Sequence, residues 1–115
     1  MDRYRVGIIG GGQLARMMQQ AAISLGIHVK LLSEAPGNSA AQVIPDTLVA
    51  DQESLADLKR FADDVQVITF DHEHVPTRHL RALLDQVIVR PGPDALAHAQ
   101  DKALMRNRLT GLDIP

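Results

Sequence analysis

Residues 6–17 read Val-Gly-Ile-Ile-Gly-Gly-Gly-Gln-Leu-Ala-Arg-Met, and this stretch decides which fold the chain can adopt. A short apolar run ends in three consecutive glycines, and a segment that favours a helix follows at once. Glycines permit a tight turn and let a ligand approach bare backbone. A helix that begins here would present free N–H groups and a dipole end of roughly half a positive charge. The stretch therefore predicts a strand, an anion-attracting turn and a helix.

The small residues of the turn fit a known spacing. Gly10, Gly12 and Ala15 match the dinucleotide-binding pattern in its form with alanine at the third position. Between a strand and a helix, this pattern indicates the first βα turn of a Rossmann-like sheet. The ligand stays open: a nicotinamide dinucleotide, a phosphorylated metabolite, or none at a purely structural turn. Glu34 lies about 20 residues further on, where dinucleotide enzymes hold a ribose hydroxyl, although a solvated loop carboxylate is the more ordinary role.

Composition narrows the class of protein. A length of 115 residues suits one compact domain, and aromatic residues at 3% require a core of aliphatic side chains. The net charge of −2, with no basic block, argues against nucleic acid or an anionic membrane as partner. No apolar run approaches the roughly 20 residues of a membrane span, and no signal peptide is visible. Because cysteine is absent, disulfides and thiolate chemistry are excluded, and we expect a cytoplasmic protein.

Apolar runs and helical periodicities alternate along the rest of the chain, as they do in βαβ units. Strands are predicted over residues 3–9, 27–33, 47–50, 65–70 and 86–89, and helices over 13–25, 52–62, 77–84 and 94–109. The last stretch is expected as one helix or as two that meet near residues 100–101. A single helical turn is expected over 38–43. We therefore expect an α/β, Rossmann-like three-layer domain with a mostly parallel sheet of about five strands.

Local signals define the ends and faces of the helices. Gly26 is expected as a left-handed C-cap of the first helix, and Asp51 as the N-cap of the second. Six apolar residues at steps of three and four predict the buried face of the first helix: Leu14, Met17, Met18, Ala21, Ala22 and Leu25.

A charged loop, Asp71-His72-Glu73-His74, follows the fourth predicted strand. Ligands of open α/β sheets bind outside the carboxyl ends of the strands, so this loop and the glycine turn should flank one cleft. A metal site is disfavoured, because alternate residues of an extended loop point to opposite sides and no distant His or Cys cluster completes a ligand set. We prefer a carboxylate that accepts hydrogen bonds from a ligand amine or hydroxyl, and a solvated loop is the alternative. The remaining histidines are expected to be structural or surface residues: His28, His79 and His98.

Several motifs in register resemble the 5-(carboxyamino)imidazole ribonucleotide synthase family, ATP-grasp ligases of purine biosynthesis. Residues 10–17 resemble the family's Gly-Gly-Gly-Gln-Leu-Gly-Arg-Met, and residues 67–76 resemble its Val-Thr-Phe-Glu-Phe-Glu-Asn-Val-Pro. Further matches are Leu-Gly-Ile at 25–27, Ala-Ala-Gln-Val at 40–43, Arg-Pro at 90–91 and Gln-Asp-Lys at 100–102. The departures are Ala15 for glycine, Asp71, His72 and His74 for Glu, Phe and Asn, and Gly92 for serine.

The resemblance implies that residues 1–115 form the N-terminal pre-ATP-grasp domain of a longer enzyme, whose ATP-grasp and C-terminal domains would follow Pro115. The family phosphorylates bicarbonate with ATP and Mg²⁺, carboxylates 5-aminoimidazole ribonucleotide, and would act as a homodimer. By matching position, the residues expected to face the nucleotide substrate are Gly11, Gly12, Gln13, Leu14 and Glu73. Lys102 would reach ATP. No catalytic residue or metal ligand is expected in this stretch, which should be inactive alone.

Two other functions share part of this evidence. An NAD(P)-binding domain of a dehydrogenase or a regulatory module would explain the glycine turn and Glu34. A non-catalytic α/β interaction module would explain the alternating elements and would bind no ligand at the turn. Neither accounts for the matches over 71–76 and 90–102.

Overall fold

The computed structural model describes residues 4–72, 75–96 and 100 of the chain. The strands are β1 (Arg5–Ile9), β2 (His28–Ser33), β3 (Thr47–Val49), β4 (Val67–Phe70) and β5 (Ile88–Val89). The helices between them are α1 (Gln13–Leu25), α2 (Leu55–Ala62) and α3 (Thr77–Leu83). A further helical segment begins at residue 93, and most of the helix predicted over 94–109 lies outside the described residues.

All strand pairs are parallel, and the sheet order is β3-β2-β1-β4-β5. Ile8 of β1 is in register with Leu31 of β2 on one side and with Thr69 of β4 on the other. The chain first builds outward from β1 to β3 and then returns to the opposite side of β1. The order therefore reverses between β1 and β4, and the loops after these strands separate at one edge. The expected five-stranded, Rossmann-like sheet is confirmed.

Two hydrophobic cores flank the sheet, because successive residues of a strand point to opposite faces. Ile8 and Leu31 pack with Ala15 and Ala22 of α1. On the other face, α2 and α3 cover a larger core that includes Ile9, Leu32, Phe61, Leu80 and Leu83. The central strands β1, β2 and β4 are thus covered on both faces, whereas Val49 of β3 and Ile88 of β5 are exposed at the edges of the sheet. This covering of the central strands confirms the three-layer arrangement.

Gly7 lies in the centre of β1, opposite the Phe61 ring of α2. A Cβ placed on Gly7 would stand 2.8 Å from the nearest ring carbon. Real Cβ contacts are essentially never this short. The glycine therefore makes room for the aromatic ring over the middle of the sheet.

The predicted buried face of α1 is partly wrong. Ala15 and Ala22 are buried, whereas Leu14, Met17 and Leu25 are 51%, 55% and 71% exposed. Small side chains point at the sheet and allow the helix to approach it closely, so the larger apolar residues lie around the contact instead of in it. The periodicity identified an apolar stripe that is wider than the face that packs. Ala21 is also exposed, and Met18 is half-buried.

The ends of the helices follow their capping chemistry, with one correction. Gly26 adopts φ 70°, so the predicted left-handed C-cap is confirmed. The N-cap of α2 is Ser54, whose Oγ accepts a hydrogen bond from the Asp57 N–H at 3.3 Å. Asp51 instead accepts from the Glu53 N–H at 2.9 Å in a turn before the helix. The Asp51 carboxylate thus accepts the N–H of Glu53 in this turn and does not cap the helix, which begins three residues later than predicted.

Two further backbone features complete the fold. The predicted turn over 38–43 contains helical hydrogen bonds from Gln42 N to Asn38 O and from Ile44 N to Ala40 O. The peptide bond between Arg90 and Pro91 is cis.

Within residues 4–72, 75–96 and 100, no helix has the length and apolar character needed to cross a membrane.

Asp64 generates a prediction about pH. The Lys30 ammonium, 2.8 Å from its carboxylate, donates the hydrogen bond that holds the Asp64 pKa below the ordinary value of 3.8. Since folding lowers this pKa, the associated stability is fully present above the unfolded-state pKa and is lost as pH falls through the folded value. An NMR titration should place the Asp64 midpoint below 3.8.

In the same titration, Lys30→Met should raise the Asp64 midpoint, whereas Lys59→Met, on an exposed part of α2, should leave it unchanged. A wild-type midpoint at or above the ordinary value would contradict the assignment.

Candidate functional site

A cleft of about 450 Å³ opens at the carboxyl edge of the sheet, beside the ends of β1 and β4. It joins the glycine turn, the start of the charged loop and the segment after β2, as expected from the reversal of strand order. Its lining residues are Gly10, Gly11, Gly12, Glu34, Asn38, Ser39, Gln52, Asp71 and His72.

The glycine turn is the first βα turn, as predicted. Gly10 has φ 110° and donates its N–H to Leu32 O at 2.9 Å. A Cβ on Gly10 would stand 2.9 Å from the Cβ of Asp71, so both the backbone conformation and the crowding require glycine. Gly12 is the N-cap of α1, and its carbonyl accepts the N–H of Arg16 at 3.2 Å.

The Asp71 carboxylate binds this turn directly. One oxygen accepts the Gly12 N–H at 2.6 Å, and the other accepts the Ala15 N–H at 3.1 Å. The N–H of Asp71 itself donates to Ile9 O at 2.9 Å, which holds the start of the loop beside β1. The first carboxylate of the charged loop is therefore directed at the protein's own backbone, so the preferred interpretation of the loop does not apply to Asp71.

The expectation that the start of α1 presents free N–H groups to a ligand is only partly right, for the same reason. Gly12 and Ala15 already donate to Asp71. Within the part of the chain that the structure describes, the amides of Gln13 and Leu14 have no protein acceptor. Both residues are exposed at the first turn of α1, next to the cleft but outside its lining. Their two N–H groups are therefore not used by the described residues.

The opposite wall is built on Ser33, which is fully buried at the end of β2. Its hydroxyl donates to Ala35 O at 2.7 Å and accepts from Asn38 Nδ2 at 2.9 Å. A Cβ on Gly11 would stand 2.9 Å from the Cβ of Asn38, so the glycine turn and this wall are in close contact. The Gly11 carbonyl also accepts the Ala40 N–H at 3.0 Å.

Arg16 attaches the 38–43 turn to helix α1. Its guanidinium donates to Ser39 O at 3.0 Å and to the side-chain oxygen of Gln42 at 3.1 Å. The Ser39 hydroxyl donates to the side-chain oxygen of Gln13 at 3.1 Å. These bonds fix one side of the cleft relative to the helix that begins at its floor.

The cleft is polar and, in its described lining, acidic. Glu34 and Asp71 contribute carboxylates, and none of the described lining residues is Lys or Arg. Such a wall suits hydroxyl and amine groups better than a polyanion. Among residues 4–72, 75–96 and 100, no three His, Asp or Glu side chains come together as a metal site.

The predicted site residues have different outcomes. Gly11 and Gly12 line the cleft, and Gln13 and Leu14 follow them on α1. Glu73 and Lys102 lie outside the described residues, so their roles stay predictions.

Of the other histidines, His28 pairs with Asp46 at 2.7 Å. His79 has a buried Nδ1 atom that finds no hydrogen-bond partner in the described region. His98 lies outside that region.

Sequence reasoning missed Asp71 as a ligand of the turn and missed the wall residues Asn38, Ser39 and Gln52. A signal existed for Asp71. Asp71 directly follows a buried strand, so it lies at the same edge of the sheet as the start of α1. The N-cap of that helix, Gly12, has no side chain that could accept the first N–H groups of the helix.

The turn glycines generate a second prediction. Gly10→Ala should lower the free energy of unfolding by about 3 kcal/mol, because positive φ and contact with Asp71 both oppose a Cβ. Gly37→Ala is the matched control: φ is 84°, no atom lies within 4 Å, and the cost should be about 1 kcal/mol. Urea denaturation measures both. Equal losses would contradict the crowding at Gly10.

Comparison with known proteins agrees with this geometry. A family model described as the ribonucleotide synthetase preATP-grasp domain matches residues 3–100. N5-carboxyaminoimidazole ribonucleotide synthase of Mycobacterium leprae is 51% identical over 108 residues, which are 93% of this chain and 25% of that protein. The enzyme of the same name from Corynebacterium ammoniagenes is 50% identical over 111 residues, or 96% of this chain and 27% of that protein.

Solved structures give the same result. N5-carboxyaminoimidazole synthase from Aspergillus clavatus, in complex with ADP and 5-aminoimidazole ribonucleotide, superimposes with a TM-score of 0.80 at 29% identity. That match covers 98% of this chain and 30% of the other. The synthetase from Thermotoga maritima gives a TM-score of 0.80 at 32% identity over 97% of this chain and 32% of that one.

The chain spans about a quarter of the length of the curated relatives named above. Its parallel sheet, its glycine turn and the match over nearly all of its residues lead to one conclusion. The chain belongs to the ribonucleotide synthetase preATP-grasp domain family.

Proposed function

We propose that this chain is the substrate-side domain of an N5-carboxyaminoimidazole ribonucleotide synthase, an ATP-dependent ligase of purine biosynthesis. The main observation behind this proposal is the cleft, where the glycine turn and the start of the charged loop meet. The chain is also about half identical in sequence to an enzyme of that name. A cytoplasmic location and a homodimeric complete enzyme belong to the same proposal.

In this proposal, the cleft supplies one wall of the 5-aminoimidazole ribonucleotide site. The polar side chains of Asn38, Ser39 and Gln52 line the cleft and can bind a nucleotide's polar atoms. The amides of Gln13 and Leu14, which follow the lining residue Gly12 on α1, are proposed to add two donors at its border. Glu73 follows Asp71 by two residues, and its carboxylate would accept a hydrogen bond from the substrate amine.

The reaction needs ATP, which supplies the phosphoryl group that activates bicarbonate. The substrate amine then attacks the carbonyl carbon of the resulting carboxyphosphate, and inorganic phosphate leaves. The described cleft residues hold no cationic side chain for a triphosphate and no carboxylate cluster for Mg²⁺. ATP and Mg²⁺ would therefore be held mainly outside this domain, with Lys102 as its proposed contribution.

The dehydrogenase alternative has one favourable observation, because Glu34 lines the cleft. However, Asp71 already binds two of the first backbone N–H groups of α1, where a dinucleotide would place its diphosphate. The relatives and solved structures named above are synthases, which favours the synthase over a dehydrogenase.

An amide NMR titration of the 115-residue chain tests the proposal. Adding 5-aminoimidazole ribonucleotide should shift the amide signals of Gln13 and Leu14 saturably. NADH at the same concentrations should not. Submicromolar NADH binding, or no response to the ribonucleotide at millimolar concentration, would contradict the proposal.

A third prediction concerns Glu73 in the complete synthase. Glu73→Gln should reduce kcat/KM for 5-aminoimidazole ribonucleotide about 10-fold or more, because a polar contact left unpaired costs about 1–3 kcal/mol. Steady-state ADP release measures the effect, and Asp85→Asn, at an exposed carboxylate between α3 and β5 that is not part of the cleft lining, is the control. Unchanged kinetics would remove Glu73 from the site. The 115-residue chain alone should release no ADP.

A further inference from the structure

Asp71 places a negative charge where glycine turns of this type ordinarily receive one from a ligand. In dinucleotide-binding domains the diphosphate sits at the N-terminus of the first helix and accepts its backbone N–H groups. Here the Asp71 carboxylate accepts the Gly12 N–H at 2.6 Å and the Ala15 N–H at 3.1 Å. Both bonds join residues more than 50 positions apart in the sequence, and the carboxylate comes from the loop directly after the neighbouring strand β4.

The contact between Gly12 and Asp71 leaves no room for a side chain on residue 12. A Cβ on Gly12 would overlap the carboxylate oxygen that accepts its N–H. The backbone of Gly12, with φ −85° and ψ −167°, is extended and open to any residue. The need for glycine at this position therefore comes from the carboxylate alone and not from the backbone conformation.

The loop that carries Asp71 is itself held in place. The Asp71 N–H donates to Ile9 O at 2.9 Å, and a Cβ on Gly10 would press against the Asp71 side chain at 2.9 Å. Asp71 thus contacts the strand, the turn and the helix that together form the floor of the cleft.

We propose that Asp71 is a positioning residue that serves as a built-in anion of the glycine turn. It holds the turn and the start of α1 in one conformation, and it excludes ligand anions from the Gly12 and Ala15 amides. A ligand diphosphate therefore lacks two of the donors that it would need, and the amides of Gln13 and Leu14 remain for a smaller group.

A double-mutant cycle tests the steric part. Gly12→Ala should lower Tm by roughly 10 °C, because the new methyl displaces the carboxylate from its two amides. In the Asp71→Ala background, the same substitution should lower Tm by no more than a few degrees further. Asp64→Ala is the control background, in which Gly12→Ala should keep its full effect. Additive shifts with Asp71→Ala would overturn the proposal.

A phosphate titration tests the electrostatic part, which a merely structural role would not affect. In wild-type protein, inorganic phosphate should leave the Gly12 and Ala15 amide signals unmoved. In Asp71→Ala, both signals should shift saturably with phosphate, and equal ionic strength from chloride should not reproduce the effect. Asp64→Ala should behave as wild type. Shifts of both amides in wild type, or of neither in Asp71→Ala, would overturn the proposal.

If Asp71→Ala does not fold, Asp71→Ser replaces it. A serine hydroxyl can accept one of the two amides, so phosphate should then move the signal of the other. If phosphate shifts neither the Gly12 nor the Ala15 amide signal in folded Asp71→Ser, the proposal is overturned in the same way.

This inference does not rest on the proposed reaction. If the chain does not bind 5-aminoimidazole ribonucleotide but phosphate shifts the amide signals in Asp71→Ala, the proposed function is wrong and the role of Asp71 stands. If the chain binds the ribonucleotide but phosphate shifts neither amide in Asp71→Ala, the proposed function stands and the role of Asp71 is wrong.

Discussion

Strand β1 is hydrogen-bonded in parallel to β2 on one side and to β4 on the other, and the remaining elements are placed by that double pairing. Because parallel neighbours require a crossover, the connecting segments must pass over the sheet, and α1 covers one face while α2 and α3 cover the other. The pairing with β4 also brings the end of that strand beside the end of β1. Without it, Asp71 would not reach the glycine turn.

The cleft therefore depends on backbone pairing more than on the glycines themselves. The turn alone supplies amides and space, as any βα turn of this type does. Its chemical character is set by side chains that arrive from two other segments, the loop after β4 and the segment after β2. A carboxylate comes from the first and a Ser33–Asn38 pair from the second. A glycine pattern thus identifies the position of a site but does not identify its ligand.

Much of the fold could be predicted because its signals are local. Apolar runs located the strands, and Gly26 ended α1 where a left-handed residue was expected. The buried face of α1 could not be predicted from periodicity, since Leu14 and Ala15 are both apolar, and only the tertiary packing leaves the alanine buried and the leucine exposed. The Asp71 contact spans more than 50 residues, so no local pattern contains it. The family resemblance came from several motifs together and identified more than any local rule.

The glycine in the middle of β1 has a consequence for protein engineering. A designer who reads Val6-Gly7-Ile8 would regard Gly7 as a weak point of a central strand and replace it with a β-branched residue. The Phe61 ring leaves no room for that change, since even a Cβ would stand 2.8 Å from it. Any attempt to strengthen this strand must therefore begin on α2, by replacing the phenylalanine with a smaller side chain, and treat the two positions as a single unit of design.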